Sequence, residues 1–212
     1  KKYDFSFYSI YDTTFNEDWL VEAGVRYDFS HINAYKYYRT YLWVDRNYNE
    51  LFPEFLVEDQ GLNTLTNPKF DFHNISSNLG VRYSISDNEN IYFNYSISSR
   101  KPNPSELFSE GLHHSSARIE IGDLSFTSEV GNNVSLNYSF SNVKSALTFS
   151  SFYNYVNDFI YIIPVRTTTT IAGVFPVWEY MQSDANLYGF DVKYDKQYFD
   201  NFFIGHQFSL VK

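Results

Sequence analysis

The most constraining feature of this chain is a two-residue alternation of apolar and polar side chains, which recurs in several segments. The clearest segment runs from Trp19 to Phe29, and a second regular one runs from Asn90 to Arg100. Successive side chains of a β-strand point to opposite faces, so the pattern predicts strands with one apolar and one polar face. About eight such strands are predicted along the chain, and many of their apolar positions are aromatic.

The connections between these strands alternate between short turns and long polar segments. Long loops are predicted near residues 31–69, 101–130 and 164–175. Outer-membrane barrels have short periplasmic turns and longer extracellular loops. The predicted fold class is therefore all-β, a transmembrane antiparallel up-and-down β-barrel. Roughly eight strands can also close a small barrel by themselves, so that alternative stays open at this point.

The composition agrees with a membrane barrel. Aromatic residues make up 21% of the 212 residues, although hydrophobic residues reach only 43% and the mean hydropathy is -0.38. Aromatic girdles and a polar lumen produce this combination in outer-membrane barrels. No apolar run reaches the roughly eighteen residues of a transmembrane helix. An outer girdle, or alternatively a ligand vestibule, is predicted from Tyr35, Tyr37, Tyr38, Tyr41 and Trp43.

Several functional classes are disfavoured by composition and motifs. The chain has no cysteine, which rules out disulfides and thiolate chemistry within it. Its net charge of -9 argues against nucleic acid as a partner. Four histidines have acidic neighbours, but no Gly-x-Ser-x-Gly nucleophile motif accompanies them, so enzyme activity is not expected. These histidines are His31, His73, His113 and His114.

A loop that carries the first of two motifs follows the strand ending at Arg100, and the second motif lies on a later strand. Pro102 and Pro104 stop that strand, because proline donates no backbone hydrogen bond. The motif residues are Glu106-Leu107, Gly111-x-His113, Ile119-Glu120-x-Gly122-Asp123 and Glu129, then Ala185-x-x-x-Gly189-x-Asp191. Together they resemble TonB-dependent outer-membrane receptors. The chain departs from that family in having Asp191 for a glutamate and Leu124-Ser125-Phe126-Thr127 for the usual Pro-Asn-Leu-Lys.

This resemblance implies that residues 1–212 form part of one barrel domain of about twenty-two strands. The N-terminal plug and the last strands are expected outside this chain. The implied protein is a receptor in the outer membrane of a Gram-negative bacterium, in contact with lipid and lipopolysaccharide. It would bind a scarce nutrient (a ferric siderophore, haem or a metal ion, as cargo and not as cofactor). Import would use energy from the TonB complex, received through the plug.

The alternative function is an outer-membrane adhesin or a passive porin-like barrel without energy coupling. Such a protein needs the same wall and the same loops, but no plug.

The candidate site residues lie in and beside the proline-containing loop. The candidate ligand-binding residues are Arg100, Glu106, Glu110, Arg118 and Glu120, and the candidate metal ligands are His113 and His114. Guanidinium groups pair with anionic ligands, and imidazole suits zinc, copper and iron. Structural roles are the alternatives, because adjacent residues of an extended chain point to opposite faces. A charge ladder along the barrel wall would pair Arg26, Arg82 and Arg100 with Glu22, Asp28 and Glu120.

Overall fold

The computed structural model describes residues 1–39, 42–60 and 63–212. Its strands are β1 (Lys2–Phe15), β2 (Trp19–Asn33), β3 (Tyr37–Arg39), β4 (Leu56–Gln60), β5 (Asn63–Thr66), β6 (Lys69–Ser86), β7 (Glu89–Arg100), β8 (Glu110–His113), β9 (Arg118–Ile121), β10 (Glu129–Ser141), β11 (Ser145–Thr170), β12 (Gly173–Phe199) and β13 (Phe202–Val211). Its helices are α1 (Leu42–Asp45), α2 (Tyr48–Leu51) and α3 (Pro104–Phe108), with a 3-10 turn at Pro53–Phe55. None of these helices is long and apolar enough to cross a membrane.

Eight long strands form one antiparallel wall, in the order β1-β2-β6-β7-β10-β11-β12-β13. Each strand pairs with the next long strand along the chain, which confirms the predicted all-β up-and-down topology. Within the described residues, β1 and β13 lie at opposite edges of the wall and do not pair. The barrel is therefore only partly present, and these eight strands do not close a small barrel of their own.

The wall has one polar and one apolar face, as the alternation predicts. Residues that pair across antiparallel strands point to the same side, so Asp28 shares a face with its partner Asn74, and Val25 shares the other with Ser77. The polar face, called here the lumen face, includes Glu22, Arg26, Asp28, Asn74, Asn78, Arg82, Asn94, Asn133 and Asn137. The apolar face includes Val21, Val25, Leu79, Val81, Phe93, Tyr95, Val134 and Leu136.

The two long connections, described as 34–39, 42–60, 63–68 and 101–128, fold together into what is called here the cap. The first connection contributes a three-stranded sheet in the order β3-β5-β4. The second contributes α3 and the β8–β9 hairpin, and β9 pairs in parallel with β12 at Val177–Glu179. The core of the cap contains Trp43, Tyr48, Phe55, Leu107, Leu124 and Phe126, packed with the wall residues Ile32, Phe72 and Ile160. Ile32 and Phe72 belong to the lumen face, so both connections fold inward over it.

The segment near 164–175 differs from the predicted long loop. Strands β11 and β12 stay paired up to Thr170 and Gly173, and only Ile171 and Ala172 form the turn. The β-branched run Thr167–Thr170 favours extended backbone. The two-residue alternation is weak there because the end of this hairpin is solvated on both faces, which is why the pattern indicated a loop.

The predicted aromatic girdle is also wrong for part of its residues. Trp43 is 2% exposed and lies inside the cap, while the Tyr37 hydroxyl donates to the carbonyl oxygen of Phe108. Tyr35 is exposed, and Tyr41 lies outside the described residues. The side chains of Trp43 and Tyr37 pack on other aromatic rings within the cap, which removes their apolar surface from water without a lipid interface.

Candidate functional site

The second connection begins with a clasp of three charged residues, Arg100, Glu106 and Glu129. The Nε of Arg100 lies 2.6 Å from Glu129 Oε2, and its Nη1 lies 3.0 Å from Glu106 Oε2. Both carboxylates are buried. Arg100 and Glu129 face each other across the β7–β10 pairing, so the wall itself brings them together, and α3 adds Glu106.

The two carboxylates of the clasp also accept hydrogen bonds from backbone N–H groups. Glu106 accepts the Asn103 N–H at 2.7 Å and completes a capping box at the start of α3. Glu129 Oε1 accepts the N–H of Ile160 at 2.6 Å, where the register of β11 is interrupted by a bulge. Two of the predicted ligand-binding residues, Arg100 and Glu106, are therefore bonded within the loop base.

The β8–β9 hairpin carries most of the other predicted residues. The Arg118 Nε donates to Glu120 Oε1 at 2.7 Å, and its guanidinium lies 4.8 Å from the centre of the Trp178 ring. Glu120 is 6% exposed and also accepts the Tyr180 hydroxyl at 3.4 Å. Cation–π contact and a paired carboxylate both stabilise a guanidinium. Arg118 and Glu120 thus form a polar seam between the hairpin and β12.

The two histidines lie at the exposed tip of the hairpin. His113 ends β8, and its Nδ1 is 3.1 Å and 3.0 Å from the hydroxyls of Ser115 and Ser116. His114 is in the turn that follows. Within 1–39, 42–60 and 63–212, no group of three His, Asp or Glu side chains is placed to hold a metal ion. A two-histidine metal site stays a prediction.

A shallow recess of about 230 Å³ lies beside this hairpin. Its lining residues are Ser109, Glu110, Gly111, Leu112, His113 and Glu120. Three of the seven predicted site residues, Glu110, His113 and Glu120, are therefore brought to one recess. Arg100 is bonded instead in the clasp at the loop base. In the β8–β9 register His113 and Glu120 lie on one face of the hairpin and Glu110 lies on the other. The recess therefore offers carboxylate and imidazole groups for hydrogen bonds to a polar solute.

A second network, centred on Arg46, joins the two connections and was not predicted. Arg46 is ion-paired with Asp123, and its Nη2 lies 3.2 Å from Glu179 Oε2 on β12. The Tyr48 hydroxyl donates to Asp123 Oδ1 at 2.7 Å and accepts the Leu124 N–H at 3.0 Å. Asp123 belongs to the recognised motif, but Arg46 is 77 residues distant in sequence. No local spacing could have revealed this pair.

The charge of Asp123 is maintained by its surroundings. Burial raises the pKa of the carboxyl group, but hydrogen bonds from Ser125 and Tyr48 and the charge of Arg46 together outweigh burial. The net result is a pKa below the ordinary aspartate value. Asp123 therefore stays ionised, and the network stays formed, at all but strongly acidic pH.

We expect this network to be lost only in acid. Because the folded pKa is lowered, ionised Asp123 stabilises the cap at every pH above the ordinary value of about 3.9, and this contribution disappears as the pH falls through the folded pKa. Hydrogen exchange in residues 42–51 and 118–124 of the full-length protein reports the stability of the cap. The difference in cap stability between the parent and Asp123→Asn should shrink towards zero in strong acid. A difference that stays unchanged as the pH falls from the ordinary aspartate pKa into strong acid would contradict this assignment.

The comparisons with known proteins agree with this architecture. Residues 1–210 match the sequence profile of a family described as TonB dependent receptor-like, beta-barrel. No curated protein matches the chain.

Solved structures resemble the chain in fold. The copper transporter OprC superposes with a TM-score of 0.71 at 14% identity, over 100% of this chain and 30% of that one. The hemophore receptor HasR of Serratia marcescens, solved with HasA and heme, gives 0.67 at 14% identity, over 100% and 34%. The ferric yersiniabactin receptor FyuA of Yersinia pestis gives 0.61 at 11% identity, over 99% and 26%.

The chain thus spans 34% or less of the length of each of these three structures, and at such identities the likeness concerns the fold alone. The family profile, in contrast, covers almost the whole chain and agrees with the open antiparallel wall and its two faces. Residues 1–212 belong to the TonB-dependent receptor-like β-barrel family, whose members are receptors and transporters of Gram-negative outer membranes.

Proposed function

We propose that the protein containing this chain is an outer-membrane receptor of a Gram-negative bacterium that binds a scarce nutrient and imports it with TonB-transduced energy. The cargo class is a ferric siderophore, haem or a metal ion. The observation that carries this proposal is the inward fold of both long connections, which places a structured cap over a polar lumen face. A cap of this kind suits capture of a solute at the mouth of the barrel, followed by passage along polar side chains.

We assign different roles to the predicted site residues. Glu110, His113 and Glu120 are proposed to contact the cargo, because they line the recess beside the hairpin. Arg118 and His114 flank these residues, and Arg118 orients Glu120. Arg100 and Glu106 are proposed to hold the base of the loop, because their polar atoms already bond one another.

The remaining partners are proposals of the same kind. The apolar face of the wall suits contact with outer-membrane lipid and lipopolysaccharide, since lipid-facing positions of such barrels are apolar. Coupling to the TonB complex would require a plug segment.

Transport assays with the full-length protein test this function. A Gram-negative host without its own receptors would be supplied with three labelled probes: a ferric tris-hydroxamate chelate, haem and Cu²⁺. We expect expression to restore uptake of at least one probe, and removal of TonB to abolish that uptake. Uptake that persists without TonB, together with open-pore conductance, would instead support a passive porin-like barrel.

The histidine pair offers a sharper prediction about cargo contact. His113→Ala combined with His114→Ala should weaken Cu²⁺ or Zn²⁺ binding by about tenfold or more, since even indirect support of a metal ligand has an effect of that size. Calorimetric titration of the full-length protein measures this change. His206→Ala, in the middle of β13, is the matched control and should leave affinity unchanged. Unchanged metal affinity in the double variant, with a less stable hairpin, would assign the histidines a structural role.

A further inference from the structure

The β8–β9 hairpin is attached to the wall by a short ladder. Only three residue pairs join β9 to β12, at Val177–Ile119, Trp178–Glu120 and Glu179–Ile121. Parallel pairing is slightly weaker per residue than antiparallel pairing, and so short a ladder has little stability by itself. The position of the hairpin therefore depends on contacts beyond the ladder.

Arg46 bonds to β12 within that ladder and to the second connection just beyond the end of β9. Glu179 is the last residue of β12 in the ladder, and Asp123 follows β9 by two residues. The side chains of Arg46, Asp123 and Glu179 are only 20%, 19% and 19% exposed. Arg166 adds a second guanidinium to Glu179 at 2.6 Å. One guanidinium from the first connection thus bridges two carboxylates at one end of the ladder that attaches the hairpin.

The segment that carries Arg46 is itself held firmly in the cap. Tyr48, two residues further along, is fully buried, and its ring packs at 5.7 Å from that of Trp43. Because the Tyr48 hydroxyl bonds to Asp123 and to the Leu124 N–H, Arg46 and Tyr48 hold the same point of the second connection. None of the predicted ligand-binding residues lies in the first connection.

We propose that Arg46 is a positioning residue for the β8–β9 hairpin, and that it makes the two long connections act as one lid. A cargo that displaces the hairpin must then also displace the first connection, and a shift of the first connection must free the hairpin. The structural coupling stands by itself, whereas its effect on cargo binding rests on the proposed function. Coupling of this kind is reciprocal between the two segments.

Hydrogen exchange in the full-length protein, in detergent micelles, tests the coupling directly. Arg46→Met should raise exchange in residues 110–121 by about tenfold, the change expected when roughly 1.4 kcal/mol of local stability is lost. Exchange in β6 and β7 should stay unchanged. Arg46→Lys should give an intermediate value, because an ammonium group does not span two carboxylates as a guanidinium fork does.

Two further variants separate positioning from general damage to the cap. Arg166→Met removes a more exposed guanidinium from Glu179 but keeps the Arg46 bridge, so exchange in 110–121 should change little. Asp123→Asn should act in the same direction as Arg46→Met, because it removes the anchor at β9. If Arg46→Met raises exchange only within its own segment, 42–51, the coupling is refuted.

Binding kinetics then connect the lid to the cargo. With Cu²⁺ alone and a ferric tris-hydroxamate chelate as probes, Arg46→Met should raise the dissociation rate of whichever probe the parent binds. An unchanged dissociation rate alongside faster hairpin exchange would refute the link to cargo. If the parent binds neither probe while the exchange results hold, the lid coupling is retained and the proposed cargo classes are rejected.

Discussion

Arg100→Met is expected to open the base of the second connection. The substitution removes the only guanidinium of the described clasp and leaves Glu106 and Glu129 facing each other, with their side chains 11% and 10% exposed. Removing one partner of a fully buried pair destabilises by about 3–5 kcal/mol. Since the Arg100 side chain is 41% exposed, the expected loss is smaller, roughly 2–3 kcal/mol of local opening free energy.

Hydrogen exchange of residues 101–128 in the full-length protein measures this loss. Protection there should fall by about 30- to 150-fold, the equivalent of that free energy. Arg166→Met is the matched control, because its guanidinium is similarly exposed and Glu179 keeps Arg46 as a partner. If both arginine variants behave alike, the clasp has no special role. Arg100→Lys should retain part of the protection, since an ammonium group still neutralises one carboxylate.

Gly122→Ala is expected to displace α3 from the hairpin. A Cβ at Gly122 would lie 2.5 Å from the Glu106 carbonyl oxygen and 2.9 Å from the Leu107 carbonyl carbon. These are backbone atoms, which no rotamer change can move aside. The Asp123 N–H donates to the same Glu106 carbonyl at 2.8 Å, so the shift should also withdraw Asp123 from Arg46. Overpacking of this kind destabilises by about 1–3 kcal/mol, and we expect the upper end.

The test compares two glycine variants by thermal unfolding and by exchange in residues 104–124. Gly131→Ala is the control, because the nearest atom to its Cβ is the Ser98 hydroxyl at 2.9 Å, which can rotate away. It should cause a loss of under about 1 kcal/mol. Equal effects of the two substitutions would show that the close approach at Gly122 is not a constraint.

The wall of the barrel was predictable from sequence, and the physical reason is local. In Trp19–Asn33 each residue lies on either the apolar face or the lumen face of the wall, so its polarity directly records its face. The end of β7 after Arg100 was also predictable locally, because the prolines that follow have no backbone N–H to donate to a strand ladder. Where the end of a strand is solvated on both faces, as at Thr167–Thr170, polarity no longer depends on orientation and the strand was read as a loop.

The cap was not predictable in the same way. Trp43 was predicted to lie in an aromatic girdle, and Tyr48 lies in a polar, irregular stretch that indicates a loop, yet they are 2% and 0% exposed. Their burial depends on Leu107, Leu124 and Phe126 from the other connection. No local pattern encodes contacts between segments more than fifty residues apart.

The candidate site was likewise predictable only in part. Its residue types and their motif were evident in the sequence, and Glu110, His113 and Glu120 do line one recess. The bonding of Arg100 to Glu106 and Glu129, and the bridge from Arg46 to Asp123 and Glu179, depend on tertiary structure. The sequence by itself determined the eight long strands of the wall apart from the outer ends of β11 and β12, their two faces and the family, because alternation and motif residues act over short spacings. Only the tertiary structure decided which charged residues are bonded within the loops and which remain at the recess, because ion pairing depends on distances that folding alone establishes.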